Sequence, residues 1–249
     1  MRCFIYLSYD GSRYCGWQIQ PDSPSVQEVL EKALSLFLRQ DIHVVGAGRT
    51  DTGVHARMMV AHFDCEDGID TAWVRDKLNS ILPADIAVQR VVRVNERAHA
   101  RFDAVSRTYR YYVSLGRDPF LREYSWCLVN RPDFELMNKA ASMLVDNIDF
   151  TSFSKLHTDT KTNDCHLTEA GWSELKPGLW VFTITADRFL RNMVRAIVGT
   201  LMEVGRHKIQ LDDFNGIIQG HDRCRAGDSA PAQGLFLENV TYPDSIFEV

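Results

Sequence analysis

The 249-residue chain is 45% hydrophobic and 24% charged, with a net charge of −5 and a pI of about 5.9. That composition belongs to an ordinary globular protein and excludes a disordered chain; the short apolar runs exclude a transmembrane helix. The acidic sum argues against nucleic acid as a partner, because phosphates are held by Lys and Arg.

The chain begins MRCFIYLSYDGSRY, and its first strand is expected over 2–8. Its apolar patch is too short for a signal peptide, and the protein reads as cytoplasmic. Helical spacing of Val26, Val29, Leu30, Ala33, Leu34 and Phe37 predicts a helix over 26–38, started by Ser25 with Glu28 three residues on. A short strand near His43 leads into GAGRTDTGVHA, Gly46 to Ala56. Three glycines, two threonines and no apolar run make this a shaped loop. Strands are expected over 58–63 and 86–94, with a helix over 71–81 between them. The order β-α-β-β-α-β is close to a ferredoxin-like unit.

The second half repeats the theme. SRTYRYYVSL, Ser106 to Leu115, reads as a strand, and 134–145 as a helix. Paired strands over 167–174 and 179–186 flank a Lys176-Pro177-Gly178 turn. A long helix is expected over 189–204, a shorter one over 211–219, and a last strand over 235–242. The fold class is thus α+β with a mostly antiparallel sheet, in halves 1–104 and 105–249.

Basic residues cluster at Arg107 and Arg110, at Arg188, Arg191 and Arg195, at Arg206 to Lys208, and at Arg223 and Arg225. Such clusters can build a basic groove in an acidic protein. The six cysteines show no Cys-x-x-Cys pair and read as free thiols. His221 with Cys224, and Cys165 with His166, offer two metal ligands each, short of a zinc site.

Three constellations carry candidate chemistry. Asp51 is either a turn aspartate bonded to its own backbone or a reactive carboxylate; Arg49 and the surrounding glycines favour the second. On the strand 106–115, alternation places Arg107, Tyr109 and Tyr111 on one face. Plain β-propensity explains them, and so does stacking of a base with its phosphate held. In DRFLRNMVRAIVGTLMEVG, Arg188, Arg191 and Arg195 are expected along one side of a helix, away from the centre of its core-facing stripe. Arg195, beside that core, would seek a carboxylate, with Asp51 a candidate.

GAGRTDTGVHA closely resembles the active-site loop of the tRNA pseudouridine synthase A family. YDGSRYCGWQIQP, SRTYRYY, DFTSF, FLRNMVRAIVGTLMEVG and RAGDSAPAQGLFLENVTY resemble that family's other motifs, in its order. The segment between Ser154 and Trp172 departs from the family's usual basic pattern. The resemblance implies two α/β halves about a deep cleft, a homodimer, and isomerisation of uridine to pseudouridine in the anticodon stem-loop of tRNA, at positions 38, 39 and 40. It implies no metal and no organic cofactor. Residue by residue, Asp51 matches the catalytic aspartate, Tyr109 the tyrosine that stacks on the target base, Arg195 the arginine that pairs with the aspartate, and Arg49 the arginine near the flipped nucleotide. Arg107, Arg188 and Arg191 are further candidates for substrate binding. Two other classes compete: a two-carboxylate hydrolase, with Asp103 or Glu96 as the second acid, and a non-catalytic RNA-binding module.

Overall fold

A computed structural model describes residues 1–155 and 162–247. In chain order the elements are β1 (Arg2–Tyr9), α1 (Val26–Leu38), β2 (Val45–Gly46), β3 (His55–Asp64), α2 (Thr71–Ile81), β4 (Ile86–Val94), β5 (Ser106–Leu115), β6 (Trp126–Leu128), α3 (Phe134–Val145), β7 (Leu167–Lys176), β8 (Leu179–Ala186), α4 (Met193–Gly205), α5 (Leu211–Gln219) and β9 (Leu235–Thr241). Contacts divide the chain into two compact units, Met1–Ser106 with Phe236–Val249, and Arg107–Leu235. The mixed α+β class is as expected, and the strand pairings are mostly antiparallel.

In the first unit β1 lies between β3 and β4, antiparallel to both, so that Ile5 faces Ala61 on one side and Val91 on the other. Cys3 through Leu7 are all buried, as a strand covered on both faces requires. The α1 helix starts where the Ser25 hydroxyl accepts the Glu28 N–H, while the Glu28 carboxylate meets Lys32. It buries Val26, Leu30, Ala33 and Leu34. The α2 helix is fixed to β4 by Asn79, whose amide accepts from Val88 N–H at 2.7 Å and donates to Val88 C=O at 2.8 Å. The chain's last strand returns to this unit: β9 runs parallel to β3, with Phe236 opposite His55.

In the second unit β8 lies between β5 and β7, antiparallel to both; Tyr109 faces Ile184, and Trp172 faces Phe182. The β7–β8 turn has Gly178 at φ +79, a conformation glycine adopts without a Cβ penalty. Helices α3 and α4 approach closely at Gly205, where a Cβ would fall 2.4 Å from Met137 Sδ. The α3 helix is tied to β7 by Asn138, which brackets the Trp172 peptide at 2.7 and 3.0 Å.

One element differs in a way that bears on function. The helix expected from Phe189 starts four residues later, at Met193. Asn192 sits at φ +65, a left-handed conformation through which no right-handed helix continues. Arg188 and Arg191 therefore lie in the β8–α4 connection, and of the three arginines only Arg195 is helical. The apolar periodicity began at Leu190, which is buried but belongs to the connection.

Candidate active site

The GAGRTDTGVHA loop is held by its backbone. Ala47 N–H bonds Val60 C=O at 2.7 Å, and Trp17 N–H bonds Thr50 C=O at 3.3 Å. Gly53 N–H reaches Tyr14 C=O at 3.3 Å, and Val54 N–H closes a turn onto Asp51 C=O at 3.1 Å. Gly53, third in that turn, has φ +75, as a type II turn demands. The Thr50 hydroxyl, buried beside Asp51, shares a 2.8 Å hydrogen bond with the Tyr9 phenol. Asp51 is thus fixed at Thr50, before it, and at its own carbonyl; its side chain is half-buried. Arg49 is exposed on the same loop.

The partner in this arrangement is the segment YDGSRYCGW. A Cβ on Gly11 would lie 2.0 Å from Val54 C=O oxygen, and one on Gly16 would lie 2.2 Å from Thr50 C=O oxygen. Gly46 presses against the Trp17 indole in the same way, at 2.6 Å. Buried His55 has its Nδ1 3.1 Å from both Gly11 N and Asp10 Oδ1. One nitrogen carries either a lone pair or a proton, so it serves one of these at a time. Phe236 stacks on the His55 ring at 4.5 Å. Read from the sequence, these residues had no task beyond their family likeness; the signal was the glycines, spaced where two backbones touch.

The second unit collects the other candidates. Arg107 and Tyr109 share a face of β5, as alternation predicted. Arg107 Nη1 donates to Asp187 C=O at 2.6 Å, and Tyr109 makes an edge contact with Phe189 at 5.0 Å. The β8–α4 connection therefore packs on that face. Its Asp187 carboxylate accepts from the His166 and Arg188 backbone N–H groups at 2.8 and 2.7 Å. Arg188 is half-buried, with Nη1 3.4 Å from Thr162 Oγ1, and Arg191 is exposed. Tyr111, next on the face, is fully buried and donates to Pro231 C=O at 2.9 Å. Burial pushes its phenol pKa up, and the nearby Arg195 charge opposes that.

Arg195 is clamped on the segment RAGDSAPAQG. Its Nε donates to Ala230 C=O at 2.7 Å, while Ala230 N–H donates to Arg195 C=O at 2.9 Å. With Nε engaged, a two-bond grip on a carboxylate would be made by the Nη pair. The same segment lies flat on α4, because Gly199 leaves room: a Cβ there would sit 1.7 Å from Asp228 C=O oxygen. Gly227 N–H bonds the buried Thr200 hydroxyl at 2.9 Å.

The remaining candidates resolve simply. Asp103 accepts the His99 N–H at 2.7 Å, which caps a turn, and Glu96 is exposed in another turn. His221 Nδ1 lies 3.3 Å from Asp149, and Cys224 is exposed. Burial pushes the Cys165 thiol up to about 12. Among the described residues no group of three or more His, Cys, Asp or Glu could hold a metal ion, and no helix is long and apolar enough to cross a membrane. Of the divergent stretch 154–172, residues 156–161 lie outside the described residues.

Comparison with known proteins identifies a family. The model of one family, described as tRNA pseudouridine synthase, matches residues 5–103 and 140–243. A tRNA pseudouridine synthase A of Bacteroides thetaiotaomicron is 60% identical over 248 residues, covering 99% of this chain and 92% of that protein. The protein of that name from Parabacteroides distasonis is 57% identical, over 100% of this chain and 98% of its own. That from Bacillus subtilis is 40% identical over 97% and 99%. With the Gly46–Ala56 loop in the first matched region and α4 in the second, the chain belongs to the tRNA pseudouridine synthase family, a family of isomerases.

Proposed function

We propose that this protein isomerises uridine to pseudouridine in the anticodon stem-loop of tRNA, at positions 38, 39 and 40. The observation that carries the proposal is the backbone-clamped loop presenting Asp51, in a chain of this family. Asp51 is the catalytic carboxylate. Arg195 is its cationic partner, Tyr109 the surface on which the extruded base stacks, and Arg49, Arg107, Arg188 and Arg191 hold the substrate. The same reading includes two ferredoxin-like halves, a cytoplasmic homodimer, and a reaction without cofactor; these rest on the family resemblance.

The chemistry asks little else. The N1–C1′ glycosidic bond breaks, the uracil turns, C5 bonds to C1′, and the C5 proton leaves for N1 or solvent. Nothing is oxidised and no leaving group departs, so one carboxylate acting as nucleophile or base, with a pocket that retains the detached base, is sufficient. Taking the base out of its stack costs a few kcal/mol, which a tyrosine face partly offsets.

The test is single-turnover pseudouridine formation at saturating enzyme, beside filter binding of the same tRNA. Asp51→Asn keeps the side-chain shape and removes the charge. Turnover should fall to background while affinity stays or rises, since a carboxylate repels phosphates. Turnover near the wild-type rate would sink the proposal. A hydrolase would release free base or sugar from uridine-labelled tRNA, and a binding module would be indifferent to Asn at this position.

A further inference from the structure

We infer that Ser229, held by Asn192 and Arg223, is a positioning residue that sets the direction of the Arg195 guanidinium. The inference rests on the role proposed for Arg195 and adds how that side chain is aimed.

Arg195 grips Ala230 through both its carbonyl and its Nε. The position of Ala230 therefore bears directly on the guanidinium. Ala230 itself has no polar side chain to hold it. Its neighbour Ser229 does: the Ser229 hydroxyl accepts from Asn192 Nδ2 at 2.6 Å and from Arg223 Nη2 at 3.3 Å. Arg223 Nη1 in turn meets the carbonyls of Ala226 and Gly227 at 3.3 and 3.2 Å. Two residues, Asn192 and Arg223, thus converge on the stretch just before Ala230.

Asn192 is the informative member. It stands at the N-cap of α4, where an Asn side chain ordinarily accepts an N–H from the helix's first turn. Here it makes no such bond. Its amide points to Ser229, and its backbone takes the left-handed conformation that ends the β8–α4 connection. A cap that forgoes its own helix to hold a loop is spent on the loop's position. Further along, Gly199 and Thr200 dock Asp228 and Gly227 on the same helix. The loop is therefore registered on α4 at residues 192, 195, 199 and 200, and Ser229 is the tie nearest the guanidinium.

The experiment measures the saturated single-turnover rate and tRNA Kd. Ser229→Ala should slow turnover by about 10- to 100-fold, the scale of a roughly 1 Å misplacement, with Kd unchanged. Ser229→Thr, which keeps the hydroxyl, should recover most of the rate. Asn192→Gly tolerates φ +65 and deletes the amide; it should match Ser229→Ala, and the double variant should be no slower than either. In an Arg195→Lys background, Ser229→Ala should cost less than about twofold more, because the group it aims is gone. A wild-type rate for Ser229→Ala beside a crippled Arg195→Met would overturn the inference alone. So would an equal loss from Ser229→Ala in both backgrounds. Full activity in Arg195→Met would instead sink the role assigned to Arg195, and this inference with it.

Discussion

The closest backbone approach beneath Asp51 offers a sharp perturbation, Gly16→Ala. Gly16 has φ +87, and its new methyl would stand 2.2 Å from Thr50 C=O oxygen and 3.1 Å from the Asp51 carbonyl carbon. The nearest atoms are backbone, so no side chain can swing aside. Relief to an ordinary contact near 3.4 Å requires a shift of roughly 1 Å. An L-residue in the left-handed region costs about 1–2 kcal/mol. Overpacking adds about 1–3 kcal/mol. The sum, about 2–5 kcal/mol, is a large share of a typical stability of roughly 5–15 kcal/mol. Urea denaturation at 25 °C should show that loss. Single-turnover pseudouridine formation, at urea-free conditions where the variant is folded, should fall about 100-fold because the displaced residue adjoins Asp51. Gly48→Ala is the control in the same loop. No described atom lies within 4 Å of a Cβ there, and its stability should hold or rise slightly. A Gly16→Ala protein with the wild-type unfolding midpoint and rate would refute the idea that this contact holds the Asp51 loop.

Two further outcomes are expected. Tyr109→Phe should keep tRNA affinity while Tyr109→Ala weakens capture of the extruded base and slows turnover; equal, near-wild-type rates by single-turnover assay would return Tyr109 to an ordinary strand residue. Arg191→Gln, at an exposed arginine, should weaken tRNA binding and reduce the slope of log K against log salt by about 0.7 to 0.9; an unchanged slope in filter binding would remove Arg191 from the RNA surface.

What the sequence made legible follows the range of the forces involved. The strand SRTYRYYVSL and the helices 26–38, 71–81, 134–145 and 211–219 carry periods of 2 and 3.6 within themselves, and they occur where those periods place them. The start of α4 was misplaced because apolar spacing runs on through Leu190, and nothing local in Asn192 announces a left-handed backbone. The three-residue strand β6 and the return of β9 to β3 depend on pairing with distant chain, which leaves no local period. Among the candidate residues, Asp51 and Arg195 stood out by charge among glycines and apolar residues. Their supports did not. Gly11, Gly16 and Gly199 act by having no side chain, and Ser229 acts through a residue that acts through another. Such roles appear only when the touching backbones are seen together.

The last prediction concerns pH. His62 is 6% exposed; its Nδ1 accepts the Ala100 N–H at 3.1 Å, and its ring stacks near Phe4 and meets His99 edge-on. Burial, and then the charges of Arg2 and His99, lower its pKa to about 4; Asp64 and Asp103 oppose this only in part. The folded value is below the unfolded value of about 6.5. Above that pH both states are neutral and the residue costs nothing. As pH falls, the unfolded chain takes up a proton that the folded chain refuses, so stability declines from about pH 6.5 until the folded group titrates near 4, and then levels. At about 1.4 kcal/mol for each unit, the loss is about 3 kcal/mol. Asp64, held below the carboxylate range by Arg2, loses its contribution only at lower pH, outside this window. His99 is also shifted down by burial and adds to the same window with the same sign, so the useful quantity is a difference between proteins. His62→Gln keeps an acceptor for Ala100 N–H and removes the titration. Urea denaturation of both proteins from pH 7 to 4 should show a shallower decline in the variant, converging on or crossing the wild type toward pH 4. Parallel curves across that range would mean that His62 takes its proton in the folded protein as readily as in the unfolded chain, and that burial does not keep it neutral.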